Sequence, residues 1–246
     1  MQIDVFTDPD SMARQAAALI AAEARSAVAE RGCFIFAVSG GHTPWTMLRA
    51  LAEENIPWDK VHVFQVDERI ASAGDPDRNL THLRESLLKH APLLPKQIHA
   101  MPVESADLDV AARKYAAALV DMVGLPPVLD LVHLGLGPDG HTASLLPRDP
   151  VLEITNTYVG VTGIYQGRRR MTLTYPTINR ARRILWLVTG SEKSGMLDRL
   201  LTADPSIPAG RVSQERAIVF SDRAAAKNGQ PGRKNQEGVE QFVGQG

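Results

Sequence analysis

Residues 129–142 have the sequence LDLVHLGLGPDGHT, in which an apolar run ends at closely spaced glycines and a proline. A short apolar run that ends at such turn residues is typical of a strand buried inside a parallel sheet. Asp139 and His141 follow directly beyond the carboxyl end of this strand. Because open α/β sheets bind their ligands at that edge, the segment predicts both a parallel sheet and the location of a reactive site.

The rest of the chain alternates between apolar strands and helices with a 3.6-residue apolar period. We predict further strands at residues 34–38, 61–66, 157–161, 171–174, 183–189 and 217–220. We predict helices at residues 11–31, 43–54, 79–90, 106–123 and 191–201, the first capped by Asp8, Asp10 or Ser11. Alternating strands and helices, with strands that are apolar throughout, indicate an α/β fold with a mostly parallel sheet and helices on both faces.

Length and composition are those of an ordinary globular protein. We expect a single domain over residues 1–246, with a loosely held polar tail at about 225–246, where Gly, Gln, Lys and Asn are frequent. The formal net charge of −1 argues against a nucleic-acid-binding protein, which would carry a strong basic excess. The single cysteine, Cys33, excludes an intramolecular disulfide and is compatible with a reducing compartment.

The sequence gives no indication of membrane association. Its apolar runs all fall short of the roughly 18 residues that a membrane-spanning helix needs. The first residues lack the basic and then apolar order of a signal peptide. We therefore expect a cytoplasmic protein with no membrane partner.

The loop after the first predicted apolar strand, residues 39–44, has the sequence SGGHTP. Gly40 and Gly41 allow the backbone to approach an oxyanion, and the first N–H groups of the following helix attract negative charge. The hydroxyls of Ser39 and Thr43 add hydrogen-bond donors. The loop favours a phosphate group as ligand, although an ordinary strand-to-helix turn capped by Thr43 has the same pattern. The sequence does not end in the Gly-Lys-Ser/Thr of a P-loop, so a nucleotide is not implied.

His141 is the candidate general base, because a neutral imidazole suits that role near neutral pH. Asp139 can orient this imidazole or bind a substrate hydroxyl, and a tight turn that uses both residues for backbone reasons alone is the alternative. The pair also matches a fragment of a metal site. Since no third ligand follows at a suitable spacing, we expect no metal.

Further charged residues lie beside predicted strand ends. Asp67, Glu68 and Arg69 follow a strand, where an Asp–Arg pair can line a cleft or form a solvated turn with a surface ion pair. One of the arginines at 168–170 can bind a phosphate. Lys193 lies in the first turn of a predicted helix, where it opposes the helix dipole and so suggests an anionic ligand, with an exposed surface lysine as the alternative.

Taken together, these motifs resemble the 6-phosphogluconolactonase family. The resemblance rests on five blocks in family order, within about residues 35–200: Ser39-Gly40-Gly41-x-Thr43-Pro44, Asp67-Glu68-Arg69 with Asn79, Gly135-x-Gly137-x-Asp139-Gly140-His141-Thr142-Ala143-Ser144-Leu145, Arg170-Met171-Thr172-Leu173-Thr174 and Gly190-x-x-Lys193. It implies a NagB-like three-layer α/β fold. It also implies hydrolysis of 6-phospho-D-glucono-1,5-lactone to 6-phospho-D-gluconate, the second step of the oxidative pentose phosphate pathway, without a metal or another cofactor.

The resemblance also implies roles for individual residues. His141 becomes the general base that activates water, and Asp67 and Arg69 join it in the catalytic site. The residues implied for substrate and phosphate binding are Ser39, Gly40, Gly41, His42, Thr43, Asn79, Asp139, Arg170 and Lys193. His42 stands where the family usually has serine or another small or polar residue.

The expected partner is the sugar-phosphate lactone alone, with no nucleic acid, and we expect a monomer or a weak homodimer. One alternative function is that of glucosamine-6-phosphate deaminase, which resembles this family in fold and shares the Asp-Gly-His element. Its sequence continues with a glutamate that residues 142–147 lack. The other alternative is a non-catalytic sugar-phosphate-binding protein, which can lose the base and usually carries a DNA-binding helix pair.

Overall fold

The computed structural model describes residues 1–226 and the backbone of residues 234–235. The predicted polar tail at 225–246 therefore lies almost entirely outside the described residues. The strands are β1 (Gln2–Phe6), β2 (Phe34–Val38), β3 (Val61–Gln65), β4 (Asp67–Arg69), β5 (Ile98–His99), β6 (Leu131–Gly135), β7 (Val159–Val161), β8 (Arg170–Leu173), β9 (Arg183–Val188), β10 (Ala217–Asp222) and β11 (Lys234–Asn235).

Helices connect most of these strands. The α-helices are α1 (Pro9–Arg31), α2 (His42–Leu51), α3 (Asn79–Leu83), α4 (Leu108–Val123), α5 (Tyr175–Ile178), α6 (Ser194–Leu201) and α7 (Arg223–Ala226). A π-helical segment, Arg84–Leu88, continues α3. Short 3₁₀ turns lie at Trp58–Lys60, Pro95–Gln97, Pro150–Glu153, Ser191–Lys193 and Ala209–Arg211.

The main sheet consists of parallel strands in the order β11-β1-β10-β9-β6-β2-β3-β5. A second, antiparallel sheet has the order β4-β8-β7. Alternate residues of β2 face two apolar layers: Phe34 and Phe36 pack with α1 and α2, whereas Ile35 and Ala37 pack with α4 and α6. The predicted α/β fold, with a mostly parallel sheet between two helical layers, is confirmed.

The ends of several elements differ from the prediction for local reasons. α1 begins at Pro9 because the Asp8 carboxylate accepts a hydrogen bond from the N–H of Ser11 at 2.7 Å, and proline suits the first helical position. The sequence pattern does not predict β1, β4 or β5, nor β11, which lies in the segment where we expect a polar tail. β5 has two residues, β1 begins with polar residues, and β4 consists of charged residues, so none has the apolar pattern of a buried strand.

The strand order of the main sheet reverses between β2 and β6. From β2 the chain moves to β3 and β5 on one side, and from β6 it moves to β9 and β10 on the other. Because the strands are parallel, their carboxyl ends share one edge of the sheet. A crevice forms at such a reversal, and it brings the loop 39–44 beside the loop 136–142.

His133 of β6 lies buried at this reversal. Its Nδ1 atom accepts a hydrogen bond from the N–H of Ser39 at 3.3 Å, and the Ser39 hydroxyl donates to the His133 carbonyl at 2.9 Å. These two bonds fix the start of the glycine loop against β6. Burial lowers the pKa of His133 to about 3, so the imidazole is neutral in the folded protein at neutral pH.

The buried His133 makes the stability of the fold depend on pH. Its pKa is about 3 in the folded chain and about 6.5 in an unfolded one. Between these values the unfolded chain binds more protons. The free energy of unfolding therefore decreases as the pH falls below about 6.5, by at most about 1.4 kcal/mol per pH unit from this residue.

Urea unfolding at a series of pH values from neutral to mildly acidic measures this effect. We expect a shallower pH dependence for His133→Gln, whose side-chain oxygen can still accept the Ser39 N–H. The exposed His90 provides the control, and His90→Gln should keep the slope of the wild type. Equal slopes for His133→Gln and the wild type would contradict the assignment.

Candidate active site

A cavity of about 250 Å³ opens at the carboxyl ends of β2 and β6. Every residue that the sequence analysis assigns to the site lines it, with the exception of Asp139. The lining residues are Ser39, Gly40, Gly41, His42, Thr43, Pro44, Asp67, Arg69, Asn79, Gly135, Leu136, Gly137, Pro138, His141, Ala143, Arg170, Leu187 and Lys193. Segments that lie far apart in the sequence thus converge on a single cavity.

The glycine loop presents the start of α2 to this cavity. Gly41 has φ +116°, a backbone conformation that favours glycine. Within the described residues α2 has no side-chain cap, so its first N–H groups are available to a ligand. Thr43 does not cap the helix, and its hydroxyl instead lies 2.8 Å from the hydroxyl of Thr189 at the end of β9.

His42 lines the cavity and packs on an aromatic stack. Its ring centre is 4.3 Å from that of Trp45, and the Trp45 ring stacks on His82 at 3.9 Å. His42 is thereby held at the rim of the glycine loop.

Gly40 lies against Asn79 more closely than any other residue type allows. A Cβ atom at position 40 would lie 1.9 Å from Oδ1 of Asn79. The Asn79 amide group donates hydrogen bonds to the carbonyl of Asp67 at 2.9 Å and to its carboxylate at 3.2 Å. The contact therefore joins the glycine loop to β4.

The carboxylate of Glu68 is fully buried and receives the start of α3. It accepts hydrogen bonds from the N–H groups of Asn79 at 2.7 Å, Leu80 at 2.8 Å and Arg69 at 2.8 Å. Arg78 lies 3.3 Å away as its ionic partner. Glu68 thus neutralises a helix N-terminus from another element, a role that the sequence analysis does not assign to it.

Asp67 is also buried. Its second carboxylate oxygen accepts a hydrogen bond from the Ser144 hydroxyl at 2.6 Å. The alternative interpretation of residues 67–69 as a solvated turn is wrong, because these residues form β4 and pair with β8. The pairing gives the charged side chains neighbours that a sequence pattern does not specify.

Arg69 and Arg170 are cross-strand neighbours in the small sheet. Arg170 is only 6% exposed, and burial, followed by the charge of Arg69, lowers its pKa. Both Nε atoms are buried without a hydrogen-bond partner within the described part of the chain. Two adjacent guanidinium groups with unused donors favour an anionic ligand.

The other two arginines of the triplet have partners elsewhere. Arg168 forms ion pairs with Asp75 at 3.2 Å and Asp77 at 2.9 Å. Arg169 donates to the carbonyl of Thr162 at 3.1 Å. Arg170 is therefore the member of the triplet that lines the cavity, together with Lys193 from the turn before α6.

His141 and Asp139 form a close pair beside the cavity. Nδ1 of His141 lies 2.5 Å from one carboxylate oxygen of Asp139. The hydrogen bond with His141 is the main cause that holds the pKa of Asp139 well below its usual range, so this carboxylate stays ionised. The ring packs so tightly on Gly137 that a Cβ atom there would lie 2.2 Å from Nδ1. The arrangement directs Asp139 to the imidazole and leaves Nε2 of His141 as a proton acceptor.

The sequence model of glucosamine-6-phosphate isomerases/6-phosphogluconolactonase matches residues 7–220. The chain belongs to this family. It is 36% identical over 238 residues to a 6-phosphogluconolactonase from Synechocystis sp., a match that covers 94% of this chain and 99% of that protein. It is 37% identical over 238 residues to a 6-phosphogluconolactonase from Mycobacterium tuberculosis, covering 91% and 96%.

Solved structures of the family have the same fold. A crystal structure of 6-phosphogluconolactonase from Thermotoga maritima superposes with a TM-score of 0.80 and 26% identity, over 90% of this chain and 98% of that one. The family resemblance drawn from the five sequence blocks is thus confirmed.

Neither a candidate metal site nor a candidate membrane-spanning helix occurs among the described residues. Within residues 1–226 and 234–235, no group of three or more His, Cys, Asp or Glu side chains is arranged to hold a metal ion. Over the same described residues, no helix combines the length and the apolar character needed to cross a membrane.

The contact between Gly40 and Asn79 predicts a cost for any side chain at position 40. We expect Gly40→Ala to lower the free energy of unfolding by about 1–3 kcal/mol, as overpacking typically does, in urea titrations. Gly195→Ala in α6 is the matched control, because a Cβ atom there meets nothing within 4 Å. It should leave stability equal or raise it through helix propensity. A Gly40→Ala variant as stable as the wild type would show that Asn79 moves aside freely.

Proposed function

We propose that this protein hydrolyses 6-phospho-D-glucono-1,5-lactone to 6-phospho-D-gluconate, the second step of the oxidative pentose phosphate pathway. The observation that carries the proposal is that one cavity contains the carboxylate-paired His141 together with the glycine loop 39–44, Arg170 and Lys193. Relatives named 6-phosphogluconolactonase align with more than nine-tenths of the chain, which supports the same activity here.

The substrate phosphate binds, in this proposal, at the glycine loop. The N–H groups at the start of α2 supply hydrogen-bond donors, and Lys193 and Arg170 supply positive charge. Ser39 lines the cavity, but its hydroxyl proton is already donated to the His133 carbonyl. An anchor at the phosphate holds the distant lactone carbonyl in one position. Such positioning converts the attack of water into a reaction between groups that are already oriented.

His141 is the proposed general base. Its Nδ1 hydrogen bond to ionised Asp139 fixes the ring and leaves Nε2 to take a proton from water. The water oxygen attacks C1 of the lactone, and the carbonyl electrons move onto oxygen to give a tetrahedral oxyanion. When the oxyanion collapses, the bond from C1 to the ring oxygen breaks. The proton held by His141 passes to that ring oxygen, and the new carboxylic acid ionises in solvent.

Arg69 and Asp67 complete the proposed catalytic site. Arg69 lines the cavity beside Arg170, where a guanidinium group stabilises negative charge that develops on the substrate. Asp67 accepts hydrogen bonds from Asn79 and Ser144 on its two carboxylate oxygens. It therefore acts by holding the two walls of the cavity together. The lactone carbonyl is electrophilic, so direct attack by water needs no covalent intermediate.

Replacement of the base tests the activity and the mechanism together. We expect the wild type to hydrolyse freshly prepared 6-phosphogluconolactone well above the spontaneous rate, with no loss in EDTA. His141→Ala should lower kcat by about 10²- to 10⁴-fold, the usual contribution of a general base. His90→Ala, at an exposed histidine outside the cavity, is the control. A wild type that only matches the spontaneous rate, or that releases ammonia from glucosamine-6-phosphate instead, would show the proposal to be wrong.

Replacement of the cavity lysine tests the phosphate site. We expect Lys193→Ala to raise KM by about 10- to 100-fold, because a charged hydrogen bond contributes about 1.5–3 kcal/mol to binding. The value of kcat should change little, because the bond stabilises the bound substrate and the transition state equally. Lys60→Ala is the matched control, since Lys60 also ends a 3₁₀ turn but is exposed and lies outside the cavity. An unchanged KM in Lys193→Ala would place the phosphate elsewhere.

A further inference from the structure

Tyr165 lies at the tip of the hairpin that joins β7 to β8. The backbones of Tyr165 and Arg168 form two hydrogen bonds with each other. The N–H of Tyr165 donates to the carbonyl of Arg168 at 2.9 Å, and the N–H of Arg168 donates to the carbonyl of Tyr165 at 3.2 Å. The two residues between them, Gln166 and Gly167, have φ +51° and +79°. Two successive positive φ values are characteristic of the type I′ turn, which gives a tight two-residue hairpin. The turn therefore fixes where Tyr165 projects.

Ion pairs and hydrogen bonds tie this hairpin to the loop after β4. Arg168 pairs with Asp75 and Asp77, and Arg69 donates to the Asp77 carbonyl at 2.7 Å. The hairpin is thus anchored on the loop after β4, which Arg69 at the end of β4 also contacts.

The Tyr165 side chain contacts both halves of the site. Its hydroxyl donates to the second carboxylate oxygen of Asp139 at 3.0 Å. Its ring lies 5.0 Å from the guanidinium carbon of Arg170, within the range of a cation–π contact. Its ring also lies edge-on to His141 at 5.9 Å.

The hydroxyl of Tyr165 remains a donor at neutral pH. Burial is the main cause that raises its pKa, followed by its contact with Asp139. Asp139 consequently uses both carboxylate oxygens, one toward His141 and one toward Tyr165. A carboxylate held at both oxygens cannot rotate away from the imidazole, so the ring orientation depends on Tyr165 as well as on Asp139.

We propose that Tyr165 is a positioning residue that locks the Asp139 carboxylate against His141 and, through its ring, couples this pair to the anion-binding guanidinium of Arg170. The inference rests on the proposed function, because it concerns the base of the same reaction. In this arrangement, Tyr165 contacts both the guanidinium group of Arg170, which binds the anion, and the Asp139 carboxylate, which orients His141.

The test separates the two contacts of Tyr165. Tyr165→Phe removes the hydroxyl and keeps the ring on Arg170, whereas Tyr165→Leu removes both. We expect Tyr165→Phe to lower kcat by about 3- to 10-fold, the effect of one lost hydrogen bond, with KM within about twofold. The acid side of its pH–rate profile should move to lower pH, because an Asp139 carboxylate that can turn away stabilises a protonated imidazole less. Tyr165→Leu should raise KM in addition.

Tyr175→Phe is the matched control. Tyr175 also combines a hydroxyl hydrogen bond, to the Pro208 carbonyl at 2.8 Å, with a stacked arginine, Arg211 at 4.9 Å, but it does not line the cavity. It should keep the pH–rate profile of the wild type. An unchanged kcat and an unchanged pH–rate profile in Tyr165→Phe overturn the proposal. An equal loss of kcat in Tyr165→Phe and Tyr175→Phe that follows their thermal stability also overturns it.

NMR of the His141 imidazole distinguishes failure of this proposal from failure of the proposed function. If the wild type has no lactonase activity, the proposed function is wrong. The positioning of His141 by Tyr165 is then still tested by the Nδ1–H signal of His141. Loss or broadening of that signal in Tyr165→Phe, with retention in Tyr175→Phe, supports the lock. An unchanged signal overturns it.

Discussion

The pairing of β2 with β6 is the contact on which the site depends, because it sets two loops from distant parts of the chain side by side. Side chains fix it at both ends. At the amino end the Asp130 carboxylate accepts the N–H of Ile35 at 2.9 Å, and at the carboxyl end His133 and Ser39 exchange hydrogen bonds. In a parallel sheet a shift of one residue reverses the face of every side chain. These specific bonds therefore define the register that brings His141 to the glycine loop.

The second requirement is the compensation of buried charge in the small sheet. Asp67 and Glu68 lie in a region almost without solvent, where an ionised carboxylate is tolerated only with several donors. The start of α3 and the side chains of Ser144 and Asn79 supply them. The same interactions align Arg69 at the cavity. The geometry of the cavity and the satisfaction of buried polar groups are thus one network, which explains why charged residues occupy a strand at all.

The sequence is informative where local pattern and structure agree. The apolar runs of β2, β3, β6 and β9 and the glycine-rich loops predict a parallel sheet and the edge that binds ligands. Local pattern does not predict β4, because its burial is determined by partners far away in the chain. Likewise, the sequence does not reveal Tyr165: a Gln-Gly turn is a weak signal, and its neighbours Asp139 and Arg170 become apparent only in three dimensions. Among the three arginines at 168–170, the sequence favours Arg170 as the cavity residue because it begins β8. The structure adds a physical reason, since Arg168 is already paired with Asp75 and Asp77.

The position of β1 has a consequence for the order in which the chain assembles. β1 precedes the other described strands in the chain, yet Gln2 lies beside Ile218 in β10. β2, β3, β6 and β9 can pair with one another as they emerge from the ribosome, whereas β1 has to wait until residue 217 and beyond have followed. During translation one edge of the nascent sheet, at β9, therefore remains open to other strands. A chain that ends before residue 217 leaves both β1 and β9 without β10, the strand that lies between them.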